Sequence, residues 1–157
     1  LVLSYHGIPE SYVEKGDPYC CQCTETTIAL KEKLDFSEEV IHTYQSRFGK
    51  DPWLEPYTDE TVEKLGNEGV KHLAVACPGF PADCLETLDE IGNEALEEFR
   101  ECGGETLKLI PGLNDDPAWI DAMNSIIQKE ISSWLETAKR TSAANCKVLC
   151  PRNVSSA

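Results

Sequence analysis

No apolar run in the sequence approaches the roughly twenty residues a helix needs to cross a bilayer, which excludes a transmembrane segment from the reading. Bases are scarce: 14 Lys and Arg stand against 28 Asp and Glu, for a formal net charge of −14. Such a surface repels phosphate backbones and anionic lipid while tolerating cations, so nucleic acid is excluded as a partner. Internal repeats and low-complexity blocks are both missing, which excludes a repeat architecture. A basic leader is missing as well, because the chain opens directly on Leu1-Val2-Leu3. The expectation is that no secretory signal is present and that an N-terminal portion of the protein precedes this strand-like opening.

Cysteine is abundant, at eight residues in 157. With 41% hydrophobic content the chain can build its own core, so a disulfide framework is not needed and reduced thiols in a cytosolic setting are expected. Cys20, Cys21 and Cys23 are read as too crowded for a zinc knuckle, and Cys146 and Cys150 give no firm metal spacing. Buried, unreactive thiols are expected at Cys77, Cys84 and Cys102.

Four strand-like runs (1–5, 40–45, 72–77, 106–110) alternate with four helix-like runs (19–34, 59–68, 83–102, 117–136). Strands alternating with helices of this length predict βαβ units, and hence an α/β fold on a parallel sheet. Gly69 and Gly103-Gly104 are suitable helix stops, and Asp116-Pro117 supplies an N-cap with proline at the first helical position. Beyond about Thr137 the sequence reads as a loose tail.

In open parallel sheets, ligands bind beyond the carboxyl ends of the strands. The strands here exit into Ser4-Tyr5-His6-Gly7-Ile8-Pro9, Gln45-Ser46-Arg47-Phe48-Gly49, Cys77-Pro78-Gly79-Phe80-Pro81 and Pro111-Gly112-Leu113-Asn114-Asp115. That topology predicts that His6, Trp53, Phe80 and the start of the Asp83 helix share one rim. His6 is a candidate base or metal ligand, although a histidine at a turn is as readily a hydrogen-bonding residue. In the third helix Asp83, Glu86, Glu90, Glu94, Glu97 and Glu101 predict one continuous acidic stripe, with Leu85, Leu88, Gly92, Ala95, Leu96 and Phe99 opposite. A solvated face accounts for most of such a stripe. Like charges four residues apart with no lysine between them are nonetheless unfavourable, and a row of carboxylates suits the passage of protons or cations. Trp53 and Phe80 can offer flat apolar surface to a planar ligand or simply pack.

Four blocks together resemble the ferrochelatases. They are Ser-Tyr-His-Gly-Ile-Pro-Glu (4–10) with Lys-Gly-Asp-Pro-Tyr (15–19); Gln-Ser-Arg-Phe-Gly (45–49) with Pro-Trp-Leu (52–54) and Pro-Tyr-Thr-Asp-Glu (56–60); Cys-Pro-Gly-Phe-Pro-Ala-Asp-Cys-Leu-Glu-Thr-Leu (77–88); and Leu-Asn-Asp-Asp-Pro (113–117). They occur in family order over residues 1 to about 130. The resemblance implies a three-layer α/β sandwich on a four-stranded parallel sheet, one of two similar chelatase-like domains. This chain would supply the C-terminal one over residues 1–136, with 137–157 as tail and the N-terminal domain absent.

The implied activity is insertion of ferrous iron into protoporphyrin IX with release of two protons, the last step of haem biosynthesis. His6 and Glu86 correspond to the inner metal pair that takes up the pyrrole protons. Glu90 and Glu94 correspond to carboxylates that continue along a π-helical segment as an outer metal site or proton exit, and Trp53, Phe80 and Asp83 to residues at the porphyrin pocket. No organic cofactor is implied, and iron is a substrate. Cys146 and Cys150 do not match the fuller cysteine pattern of members that carry a [2Fe–2S] cluster, and Cys84 stands where some relatives have histidine. The implied partners are porphyrin, ferrous iron and the missing domain, in the cytoplasm, with peripheral contact to the inner membrane left open. Two other readings are a short chelatase of the sirohydrochlorin or cobalt type and a non-enzymatic acidic metal-binding domain.

Overall fold

The computed structural model describes residues 1–35 and 38–138. The expected tail beyond Ala138, with Cys146 and Cys150, lies outside the described residues. The chain divides into one compact unit over residues 1–115 and a second from Asp116 onward.

The first unit is built on four parallel strands, β1 (Val2–His6), β2 (Ile41–Gln45), β3 (His72–Ala76) and β4 (Thr106–Ile110). Their order across the sheet is β2-β1-β3-β4. β1 is therefore a central strand, and it is buried along nearly its whole length. Strand side chains alternate between faces. Val2, Leu73, Val75 and Leu107 form one core cluster with Val62, Ile91, Ala95 and Phe99. Leu3, Tyr5 and Tyr44 form the other with Cys23 and, at its edge, Tyr19 and Leu30. The first cluster packs under α3 (Thr58–Asn67) and α5 (Ala95–Glu101), and the second under α2 (Tyr19–Lys33), giving the expected three layers. Gly69 and Gly103 have positive φ, as the helix stops require.

Two features differ from the expectation. A short helix, α1 (Glu10–Glu14), follows Pro9; five residues are too few to show a periodic pattern. The single helix expected over 83–102 is three pieces: α4 (Leu85–Leu88), a π-helical turn (Glu90–Glu94) and α5. Thr87, Ile91, Ala95 and Phe99 are each no more than 3% exposed, so the buried side follows a strict four-residue spacing. A regular α-helix drifts off such a spacing, and a wide turn absorbs the drift. The expected inward face is thereby corrected, because Leu85 and Leu88 are 71% and 55% exposed.

The second unit begins with the expected cap. Asp116 Oδ1 accepts from the N–H groups of Ala118 at 2.9 Å and Trp119 at 3.3 Å, opening α6 (Pro117–Ala138). Among the described residues no helix is long and apolar enough to cross a membrane.

One core group gives a pH-dependent prediction. His42 stacks on Tyr5 and meets Tyr44 edge-on, both at 4.8 Å, with Nδ1 2.7 Å from Thr27 Oγ1 and Nε2 buried without a partner. Burial, assisted by Lys31, lowers its pKa below the ordinary 6.5. The unfolded chain therefore binds a proton that the folded chain resists, so stability is lost as pH falls below about 6.5 and levels off beneath the folded value. His42→Gln should flatten that acid limb in melting temperatures measured from pH 5 to 8; an unchanged slope would contradict the assignment.

Candidate active site

β1 lies between two strands that leave in opposite directions in the chain order, so a crevice opens where β1 and β3 end. His6 is the last residue of β1 and pairs in register with Gln45, the last of β2. Its main-chain oxygen accepts the Tyr19 hydroxyl at 2.8 Å, and the following N–H of Gly7 donates to Gln45 O at 2.8 Å. A side chain at position 7 would lie 3.1 Å from both Gln45 O and the Trp53 ring, so glycine lets the indole pack there. His6 Nδ1 is 2.6 Å from the Gly7 carbonyl oxygen. A carbonyl can only accept, so Nδ1 holds the hydrogen of the neutral ring and Nε2 is left with its lone pair.

Aromatic rings flank this imidazole, Trp53 at 6.4 Å and Phe80 at 6.2 Å between centroids. Trp53 is only 6% exposed, so it backs the pocket more than it presents a face. Phe48 is 75% exposed and lies 4.9 Å from Trp53, and it is the open aromatic surface on this rim. Sequence reasoning passed over Phe48, although it stands inside the Gln-Ser-Arg-Phe-Gly exit of β2.

Glu86 lies on α4, with its carboxyl held below the ordinary range. A hydrogen bond from the Cys84 thiol contributes most, followed by its own N–H, and attraction to His6 adds to them. His6 meets Trp53 and Phe80, while Glu86 lines a recess with Glu90 and Glu94. Glu90, in the π turn, accepts from Ser46 N at 2.6 Å and Ser46 Oγ at 2.5 Å, with Gln45 Nε2 at 3.2 Å. Three donors commit this carboxylate to holding the exit of β2, where Ser46 has φ +65°.

Glu86, Glu90 and Glu94 line one recess of about 210 Å³. Glu90 and Glu94 also line a second, of about 170 Å³, together with Asp59 and Glu98. The acidic line therefore runs through Glu98, a residue the spacing argument omitted in favour of Glu97. Partial burial raises the Glu98 pKa, and the neighbouring Asp59, Glu63, Glu94 and Glu101 push it in the same direction. The wide turn makes the difference, keeping residues four apart on one side where a regular helix would carry them around.

Asp83 sits before α4. Its carboxylate accepts from Gly112 N at 2.9 Å, Asn114 Nδ2 at 2.8 Å and the Thr87 hydroxyl at 3.2 Å. The bonds from Asn114 and Gly112 keep it well ionised, and they tie the exits of β3 and β4 together. Cys77 is buried, which pushes its thiol up to about 12, so it is not a nucleophile or a ready metal ligand. Cys20 and Cys23 do have two residues between them, which corrects the reading of that cluster as too crowded. They stand a turn apart on α2, with Cys23 buried and the Tyr44 hydroxyl 3.5 Å from Cys20 Sγ. Among the described residues, no three His, Cys, Asp or Glu side chains close around a point that could hold a metal.

The sequence profile of the ferrochelatase family matches residues 1–131 of this chain. The chain belongs to the ferrochelatase family. It is 54% identical over 136 residues to the ferrochelatase of Brucella ovis and 52% identical to that of Rhizobium meliloti. The alignments cover 86% of this chain but only 39% and 40% of those relatives, so the chain spans about two fifths of a ferrochelatase. The strand-end crevice, the π turn and the acidic line all fall within the matched residues of this ferrochelatase segment.

Proposed function

We propose that the protein containing this chain inserts ferrous iron into protoporphyrin IX, completing haem, and that residues 1–136 form its C-terminal domain. What supports this reading is an imidazole with a bare Nε2 at the end of β1, together with a line of carboxylates from Glu86 through Glu90 to Glu94, in a chain of the ferrochelatase family. Metallation removes two pyrrole protons and delivers one dication, so the site needs a base, a compensating anion and a route for charge. His6 Nε2 takes the two pyrrole protons in turn, releasing the first to solvent before accepting the second, and Glu86 balances the arriving cation. Glu94 and Glu98 conduct cations or protons between solvent and that pair, past a Glu90 fixed by Ser46. Ferrous iron accepts imidazole and carboxylate together. Donors grouped in ones and twos, without a closed cage among the described residues, suit an ion that must be surrendered to the macrocycle. Phe48 and Phe80 offer apolar surface to the porphyrin plane, and the absent domain completes its pocket. The reaction belongs in the cytoplasm, where reduced iron and free thiols persist.

The test is anaerobic incubation of the full-length protein with ferrous iron and protoporphyrin IX. The Soret band should shift and porphyrin fluorescence should disappear at a catalytic rate. A spectrum that stays unmoved at all protein concentrations would refute the proposal, and a parallel reaction with coproporphyrin distinguishes the two substrates.

A further inference from the structure

The geometry points to Gln45 as a positioning residue for the metallation site, an inference that rests on the function proposed above. Gln45 is 4% exposed, and its amide is fully committed. Nε2 donates to the Glu86 main-chain oxygen at 2.6 Å and to Glu90 Oε2 at 3.2 Å. Oε1 accepts the Ser4 hydroxyl at 2.7 Å and the Cys77 thiol at 3.5 Å. A carbonyl and a carboxylate can only accept, so the orientation of the amide is fixed by its partners, and both N–H groups and both lone pairs are used.

One side chain thus joins β1, the exit of β3, α4 and the π turn. Its own main chain is in register with His6, and it grips the backbone of Glu86 itself. The spacing between the base and the carboxylate across the crevice is therefore transmitted through Gln45. The grip falls where α4 gives way to the π turn, at which the main-chain pairing changes step and a side-chain donor can hold a carbonyl in place. Only an amide can donate twice on one side and accept twice on the other. A glutamate here would set oxygen against the Glu86 carbonyl and negative charge against Glu90.

The full-length protein tests this by two measurements, kcat for porphyrin metallation and porphyrin Kd from fluorescence quenching. Gln45→Glu should lower kcat roughly tenfold to a hundredfold, the scale on which a small misplacement of reacting groups acts. Porphyrin Kd should stay within about twofold, because no porphyrin contact is removed. A merely structural role would weaken porphyrin binding and lower the melting temperature together with kcat, whereas a positioning role lowers kcat at an unchanged Kd. If Gln45→Glu does not fold by circular dichroism, Gln45→Met removes all four bonds without adding charge, and the same fall in kcat at unchanged Kd is expected. Wild-type kcat in the variant that folds, or a porphyrin Kd that weakens in step with kcat, would overturn the inference alone. A wild-type protein that fails to metallate porphyrin would overturn the functional reading and this inference with it.

Discussion

Glu86→Gln is expected to lower the rate of porphyrin metallation by about 10²–10⁴-fold, the range associated with losing a positioned proton-transfer group. The substitution keeps the size of the side chain and its place on α4 but removes the charge that His6 and the Cys84 thiol support. Protein stability should change little, because this side chain lies at the surface of its recess and carries no part of the core. His6→Ala should cost as much, since it removes the only bare imidazole nitrogen at the crevice among the described residues. The double variant should be little slower than either single one, because in the proposed reaction the two groups serve the same exchange of protons for a cation and act as a unit. The decisive measurement is single-turnover metallation with iron and with zinc. Near-normal rates in either single variant would remove His6 and Glu86 from the site, and fully multiplicative losses would show that they work separately.

Phe99→Ala is expected to destabilise the fold by about 3–5 kcal/mol, the usual cost of deleting a fully enclosed aromatic side chain. Phe99 is wholly buried, in the cluster formed by Val62, Val75, Ile91 and Leu107. Gly104 passes so close that a methyl group there would overlap the Phe99 ring. The ring therefore has no room to move, and its loss leaves a hole that neighbours held by the sheet cannot collapse into. Urea unfolding of the purified protein should show a lower midpoint at unchanged slope. A loss below about 1 kcal/mol would mean that the π turn and α5 are anchored elsewhere.

Much of the architecture was readable before any coordinates. Alternation of apolar runs with helical spacing gave the parallel sheet, because both signals are local and strong. The rim position of His6 followed from topology, and its resemblance block pointed the same way. What escaped was whatever depends on a long-range partner or a change of helical step. The spacing of Glu86, Glu90 and Glu94 looks like a solvated α-helical stripe, and only the wide turn carries it through Glu98. Leu85 and Leu88 read as core for the same reason. Gln45 is an unremarked polar residue at a strand end until Ser4, Cys77, Glu86 and Glu90 converge on it from three separate segments. Asp83 read as a pocket residue, and its observed bonds go to Gly112 and Asn114, about thirty residues away. Trp53 could have been core or platform from its sequence, and burial places it behind the imidazole.

The short bond between the His6 ring and the Gly7 carbonyl bears on how the proposed base would be reset after each turnover. A ring already anchored through one nitrogen begins with its other nitrogen vacant and never needs to exchange tautomers before it can act. Once charged, it cannot discharge backwards into a peptide oxygen. In the proposed reaction the acquired hydrogen would leave by the side it entered, and its clearance would free the ring for the next macrocycle.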